Sequence, residues 1–225
     1  MKLGIFTDVH GDLLSLQKVL TTLEKLGVDA LICLGDLVVH GQRPNAVVDL
    51  VRTLQIPTVG GNHDHGALHY GRDPNLVFFN PKSELHTALT QPLLSAENQA
   101  FLADLPELIQ PAPSVTGVHA GYRDRYALLY APINVEHLFA DAPTPITLCG
   151  HTHRTRMHRL DAGGMLQEVD PWQEQDDTWT GELNCAEYRY ILNCGNTSQL
   201  LYDRLPSVCG VLDTAASTIT WKRVF

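Results

Sequence analysis

Five short blocks carry residue types that bind divalent cations: Asp8-Val9-His10, Gly35-Asp36, Gly60-Gly61-Asn62-His63-Asp64, Val118-His119-Ala120-Gly121 and Gly150-His151-Thr152-His153. One block by itself means little, since an Asp-x-His sequence is at home in a solvated loop. Together they collect carboxylates, imidazoles and an amide. That is the mixture a pair of divalent ions requires, with one carboxylate between the ions and imidazole and oxygen donors completing each. Two ions roughly 3.5–4 Å apart suit hydrolysis of phosphate esters, because they activate a bridging water and clamp the nonbridging oxygens during in-line displacement. The charges agree: two dications outweigh Asp8, Asp36 and a bridging hydroxide, so a net positive site is left for a phosphate.

The elements that must position these residues follow from hydrophobic patterning. Leu3 to Phe6 reads as a buried strand. From Asp12 to Leu26 the leucines 13, 16, 20, 23 and 26 recur at helical spacing, with Asp12 as N-cap and Gly27 as stop. Ala30 to Leu34 predicts a second strand, Pro44 to Leu54 a second helix opened by its proline, and Ile56 to Val59 a third strand. Alternating strands and helices imply parallel pairing with right-handed crossovers, where ligand groups collect at the carboxyl ends of strands. Asp8 and His10, Asp36, and Asn62 with His63 fall at those ends.

Beyond Gly66 the pattern weakens, and a long loop with short helices over the site is expected as far as Pro92. Helices are predicted at Ala96 to Leu105 and Val135 to Phe139. Strands are predicted at Val115 to His119, Ile146 to Cys149, Arg156 to Leu160, Met165 to Val169, Tyr188 to Leu192, Val208 to Leu212 and Ser217 to Lys222. The acidic stretch Asp170 to Glu182, with Glu174, Asp176 and Asp177 beside Trp172 and Trp179, reads as an exposed hairpin loop or insertion.

The five blocks, in this order, resemble those of calcineurin-like metallophosphoesterases. The resemblance runs from Asp8 to about Asp213 and is nearest to a small prokaryotic phosphodiesterase-like branch, through Gly35-Asp36-Leu37-Val38, Gly41 and Pro44-Asn45. It implies an α/β fold, a four-layer α/β/β/α sandwich; length and composition read as one domain, residues 1–225. It also implies that Asp8, His10 and His153 bind a first metal, that Asp36 bridges, and that Asn62, His119 and His151 complete a second. His63 would then stand by the leaving-group oxygen as general acid or transition-state stabiliser.

Two departures matter. The late Asn-Pro-Gly-Ser turn of the family is here Asn193-Cys194-Gly195-Asn196. The phosphoprotein phosphatases follow the bridging Asp with an Asp-Arg pair, where this chain has Val39-His40. That difference disfavours a protein phosphatase and leaves His40 as a contact for substrate phosphate. Arg123 and Arg125, just beyond His119, are further basic groups near the site, and Arg123 is taken as a substrate contact. His65, His69, His86, His137 and His158 lie outside the blocks and read as surface or structural, although His65 and His69 could line the site.

Composition narrows the classes. The chain has 225 residues, 44% hydrophobic and 18% charged, ordinary for a globular protein. A net charge of −9 opposes binding to long nucleic acid, which begins with Lys and Arg neutralising phosphates. No run approaches the roughly 18 apolar residues of a membrane span, and the first residues do not read as a signal peptide, so a cytoplasmic location is expected. The five cysteines include no C-x-x-C pair and read as buried free thiols. The leading expectation is a metal-dependent hydrolase of phosphodiesters or nucleotides with two divalent ions, from among manganese, iron, zinc, nickel and cobalt. The alternatives are a phosphomonoesterase, a dinucleoside polyphosphate hydrolase, or a non-catalytic regulatory scaffold on the same fold.

Overall fold

The computed structural model describes residues 1–76, 78, 80–127, 132–172, 176–200 and 206–225. In the first half, β1 (Lys2–Phe6), α1 (Leu13–Lys25), β2 (Ala30–Cys33), α2 (Pro44–Thr53), α3 (Asn62–His69), α4 (Pro81–Thr90) and α5 (Ala96–Ala103) follow one another. Then come β3 (Leu108–Ala112), β4 (Val115–Val118), α6 (Pro132–Asp141), β5 (Ile146–Cys149), β6 (Thr155–Asp161), β7 (Leu166–Val169), β8 (Thr178–Glu182), β9 (Tyr188–Cys194), β10 (Ser207–Asp213) and β11 (Thr218–Val224).

Helix α1 forms where the spacing predicts it. Asp12 caps it by accepting from the Ser15 amide at 3.1 Å and the Ser15 hydroxyl at 2.7 Å, and the chain leaves it through Gly27 at φ 66. Its apolar face buries Leu16, Val19 and Leu23, each contributing about 1.5–3 kcal/mol of transfer free energy.

The strands form two sheets, ordered β2-β1-β10-β11-β8 and β3-β4-β5-β9-β6-β7. β1 and β2 pair in parallel, as do β4 with β5 and β5 with β9. Leu3, Ile5 and Trp221 from the first sheet meet Leu148, Tyr190 and Leu192 from the second in a shared core between the sheets. On the outer face of the first sheet, α1 and α2 pack Leu16, Val19, Val47 and Val51 against Phe6, Cys33 and Val211. On the outer face of the second, Val135, Leu138 and Phe139 of α6 cover Val118, Cys149 and Ile191. The layers therefore run helix, sheet, sheet, helix. Among the described residues no helix is long and apolar enough to cross a membrane.

Three expectations need correction, and one strand has no counterpart in the patterning. The third strand, Ile56 to Val59, is reduced to a single parallel bridge between Cys33 and Thr58. Pro57 has no N–H to extend a ladder, and the Gly60-Gly61 turn follows at once. The stretch from Asp170 to Glu182 is not simply an exposed loop: Thr178–Glu182 is edge strand β8, held on β11 with Trp179 stacked on buried Trp221 at 5.1 Å between ring centroids. Glu174 lies outside the described residues. Strand β3, not expected at all, is an edge strand containing Pro111, with a register shift between Ile109 and Ala112. Finally, Cys185 is exposed, whereas Cys33, Cys149, Cys194 and Cys209 are buried free thiols.

Candidate metal centre

Every block named above lies at or just beyond the end of a parallel strand or bridge. Asp8 and His10 follow β1, Asp36 follows β2, and Asn62 and His63 open α3 after the Thr58 bridge. His119 follows β4, and His151 and His153 follow β5, so both sheets deliver side chains to one place. Several of these residues turn through the left-handed region: Asp8 (φ 53), His10 (φ 49), Asp36 (φ 56), His151 (φ 67) and His153 (φ 55). Such backbone costs about 1–3 kcal/mol per residue and persists only where the surroundings enforce it. The amides of Asp8, His10 and Gly11 do so by donating to the carbonyls of Gly35 (2.9 Å), Asp36 (2.9 Å) and Leu37 (2.8 Å).

Each carboxylate has one oxygen engaged and one left over. Asp8 Oδ2 accepts from the Thr7 hydroxyl (2.7 Å) and the His151 amide (3.0 Å), and Asp36 Oδ1 accepts from the His63 amide (2.8 Å). Asp8 Oδ1 and Asp36 Oδ2 are buried and receive no hydrogen bond of ordinary geometry. Imidazole nitrogens converge on them. His153 Nε2 is 3.0 Å and His10 Nε2 3.7 Å from Asp8 Oδ1, while His119 Nε2 is 3.3 Å from Asp36 Oδ2.

The imidazole tautomers follow from their outer contacts. His10 Nδ1 faces the Val38 carbonyl at 3.3 Å and His119 Nδ1 the Leu34 carbonyl at 2.7 Å. A carbonyl only accepts, so both rings carry an N–H on Nδ1 and turn Nε2 inward, where loss of a proton leaves a lone pair for a metal. The same device orients histidine ligands on metals generally. Inside, His10 Nε2 then stands 3.1 Å from His153 Nε2, and His119 Nε2 stands 3.0 Å from Asn62 Oδ1. Each contact is closed either by a proton on Nε2 or, once that proton is displaced, by a cation placed between the two atoms. Asp8, His10, Asp36 and His153 offer atoms all within 4.8 Å of one another, as do Asp36, His119 and His151; Asp36 belongs to both groups. These residues fit divalent metal ions.

The electrostatics point the same way. Burial pushes Asp8 and Asp36 upward, but His153 and His10 beside Asp8, and His119 and His63 beside Asp36, hold both carboxyls well below their ordinary range. Burial pulls His119 down, yet Asp36 outweighs it and raises the ring to about 9. The buried carboxylates thus favour any positive charge placed between them.

His63 and His40 stand beside the cluster. Their rings lie 4.9 Å apart, and each is 5.1 Å from His10 in an edge-on arrangement. Burial lowers His63 to about 3 against the opposing pull of Asp36, and burial with neighbouring His10 and His63 lowers His40 to about 2. Both rings are neutral near pH 7. Arg123 is not drawn into the cluster: its guanidinium pairs with Asp141 at 2.6 Å and its side chain is 83% exposed. Arg125, paired with Glu107 at 2.5 Å, lines a cavity of about 160 Å³ together with His119 and Tyr126.

Three residues have roles that the sequence does not assign to them. Buried Asp64 accepts from the amides of Asp36 (2.8 Å), Leu37 (2.8 Å), Val38 (3.2 Å) and Gly61 (3.0 Å), tying the Asp36 turn to the start of α3. Its position three residues after Gly61, at the opening of a helix, was the available signal. Asn193, whose loop departs from the family pattern, donates from Nδ2 to the Gly150 carbonyl (2.7 Å) and Thr152 Oγ1 (2.9 Å), bracketing His151. His86 on α4, read above as surface or structural, reaches His40 with its Nδ1 2.7 Å from that ring's Nδ1. His65 and His69 pack against each other on α3 with ring centroids 4.3 Å apart, whereas His158 is buried on β6.

Comparison with known proteins accords with this geometry. The model of the calcineurin-like phosphoesterase superfamily domain matches residues 1–169, and the chain belongs to that family. It is 27% identical over 206 residues to the uncharacterized protein MJ0912 of Methanocaldococcus jannaschii, covering 88% of this chain and 76% of that one. It superposes on the crystal structure of a metallophosphoesterase from Sphaerobacter thermophilus with a TM-score of 0.79 and 27% identity, covering 100% of this chain and 88% of the other. The hypothetical protein PH1004 from Pyrococcus horikoshii shares the fold, with a TM-score of 0.73 at 13% identity over 99% of this chain and 87% of its own.

Proposed function

We propose that this chain is a metal-dependent hydrolase of phosphodiesters or nucleotides, working as a single domain over residues 1–225. The observation that carries the reading is Asp36, whose hydrogen-bond-free Oδ2 lies at the junction of two ligand groups. Asp8, His10 and His153 would hold one divalent ion, Asn62, His119 and His151 the other, and Asp36 both. When bound, the ions supply Lewis acidity that activates water and neutralises charge on the phosphoryl oxygens.

The protein's own residues do the rest. Asp64 and Asn193 hold the loops that carry Asp36 and His151. His63, neutral at pH 7, offers a ring N–H to the departing oxygen and acts as a hydrogen-bond stabiliser of the charge developing there. Neutral His40 meets a nonbridging phosphate oxygen. The protein phosphatases place an arginine at this point; a neutral donor suits a phosphodiester monoanion better than the dianion of a phosphoserine.

The test is to strip the protein of metal and restore manganese, iron, zinc, nickel and cobalt one at a time. Bis-p-nitrophenyl phosphate, p-nitrophenyl phosphate, a nucleotide set and a phosphoserine peptide serve as substrates. Metal-restored turnover of the diester or a nucleotide above that of the peptide supports the reading. Turnover that is indifferent to metal, or a clear preference for the peptide, overturns it.

A further inference from the structure

Helix α4 brings a histidine to the edge of the metal centre from 46 residues further along the chain than His40. His86 Nδ1 and His40 Nδ1 are 2.7 Å apart, with ring centroids at 4.9 Å and planes inclined by 70°. Two lone pairs or two N–H groups would repel at that distance, so one ring donates and the other accepts. The chain turns through the left-handed region at both Val39 (φ 72) and His40 (φ 69) to present the His40 ring there, a conformation strained for any residue but glycine and most of all for a β-branched one. One nitrogen of His40 lies within 4.8 Å of a nitrogen on each of His10 and His63. Helix α4 is held in place: Asn80 caps it by accepting from the Ser83 amide at 2.8 Å, and just beyond its end Gln91 Nε2 donates to the Tyr70 carbonyl at 3.0 Å.

We propose that His86 is a positioning residue for substrate, donating from Nδ1 to His40 Nδ1 and so holding His40 in the tautomer whose Nε2–H bonds a nonbridging phosphate oxygen. The inference rests on the reading of His40 as a substrate contact. A neutral imidazole has one N–H. When Nδ1 accepts from His86, that proton stays on Nε2, and a phosphate oxygen, which only accepts, meets a donor. In the opposite tautomer His40 would turn a lone pair toward an anion. His86 therefore acts on substrate binding without touching either metal.

The test uses the full chain loaded with metal and bis-p-nitrophenyl phosphate as substrate, with metal content measured on every variant. His86→Ala is expected to lower kcat/KM about tenfold, mainly through KM, which is the weight of one hydrogen bond to a charged group. Metal content should not change. His86→Phe, which keeps the ring volume but cannot donate, should behave like His86→Ala, and His86→Asn, whose amide still donates, should recover most of the loss. In a His40→Ala background, His86→Ala should add nothing. Independently of turnover, ¹⁵N spectra of the ring nitrogens should show His40 protonated on Nε2 in the parent and divided between tautomers in His86→Ala and His86→Phe. The inference is overturned if those two variants leave both kcat/KM and the His40 spectrum as in the parent, or if their effect persists in full without His40. If His40→Ala itself leaves kcat/KM unchanged, the substrate contact fails and the inference with it; that outcome is recognisable because His86→Ala would then alter the spectrum but not turnover.

Discussion

Gly61 lies against Asp36 so closely that a Cβ added to it would sit 2.0 Å from Asp36 Oδ1 and 2.4 Å from the Asp36 amide nitrogen. Neither atom can give way, since Oδ1 is held by the His63 amide and the Asp36 amide by Asp64. Gly61→Ala must therefore shift the shared carboxylate itself. Metal affinity is expected to fall at least as far as it does when an outer partner of a ligand is lost, about 10–100-fold. A metal titration giving parental affinity for Gly61→Ala would show that the Asp36 turn is softer than its contacts indicate.

Asp36→Asn removes the charge that both ligand groups share while keeping its shape. Elemental analysis of protein supplied with excess metal is expected to find about two ions per chain in the parent and fewer in the variant, with activity lost. Equal loading and equal turnover in the two proteins are incompatible with a bridging Asp36.

His63 lies beside the ligand groups rather than at their junction, and its loss should separate chemistry from metal binding. His63→Ala is expected to keep its metals and fold while losing about 10²–10⁴-fold in turnover, the usual range for a positioned group acting on a leaving oxygen. The loss should shrink for p-nitrophenolate, which departs with little help. Stoichiometric loss of metal from His63→Ala would make His63 a ligand, and full activity on a poor leaving group would remove it from the reaction.

Proton and metal compete for His119. Because Asp36 raises this ring to about 9, a proton must leave it before a metal can bind throughout the neutral range. Affinity for the ion held by His119 is therefore expected to rise with pH from about 6 to 9 and then level off. The rise approaches tenfold per unit for a single displaced proton. In His119→Gln the rise should flatten. Calorimetric titration at a series of pH values checks this, and a flat profile in the parent would mean that the proton is not on His119.

The seven proposed ligands are legible because they fall in five ordered blocks that resemble a known family, and all but Asn62, which follows the Thr58 bridge, sit beyond a strand whose hydrophobic run is plain. What was not readable depends on contacts with no local signature. The pairing of β8 rests on Trp179 finding Trp221 across the sheet, and that of β3 on an edge position that tolerates Pro111. Asp64 and Asn193 act through backbone amides and carbonyls, which leave no periodic trace in sequence. His86 had no reason to stand out until α4 brought it against His40. Conversely, Ile56 to Val59 looked like a strand by its apolar run, but Pro57 and the following glycines limited it to one bridge.

Strand β1 lies between β2, which follows it closely in the chain, and β10, which spans Ser207–Asp213. During synthesis on the ribosome, the edge of β1 that pairs with β10 must wait, bare, until Ser207–Asp213 has emerged. The strand that leads into Asp8 and His10 is thus made long before its second edge is covered. Long-range closure of this kind is slow and leaves an unpaired edge exposed to other chains meanwhile. A nascent chain stalled before residue 207 should be prone to aggregation even though all of its proposed metal ligands have already been made.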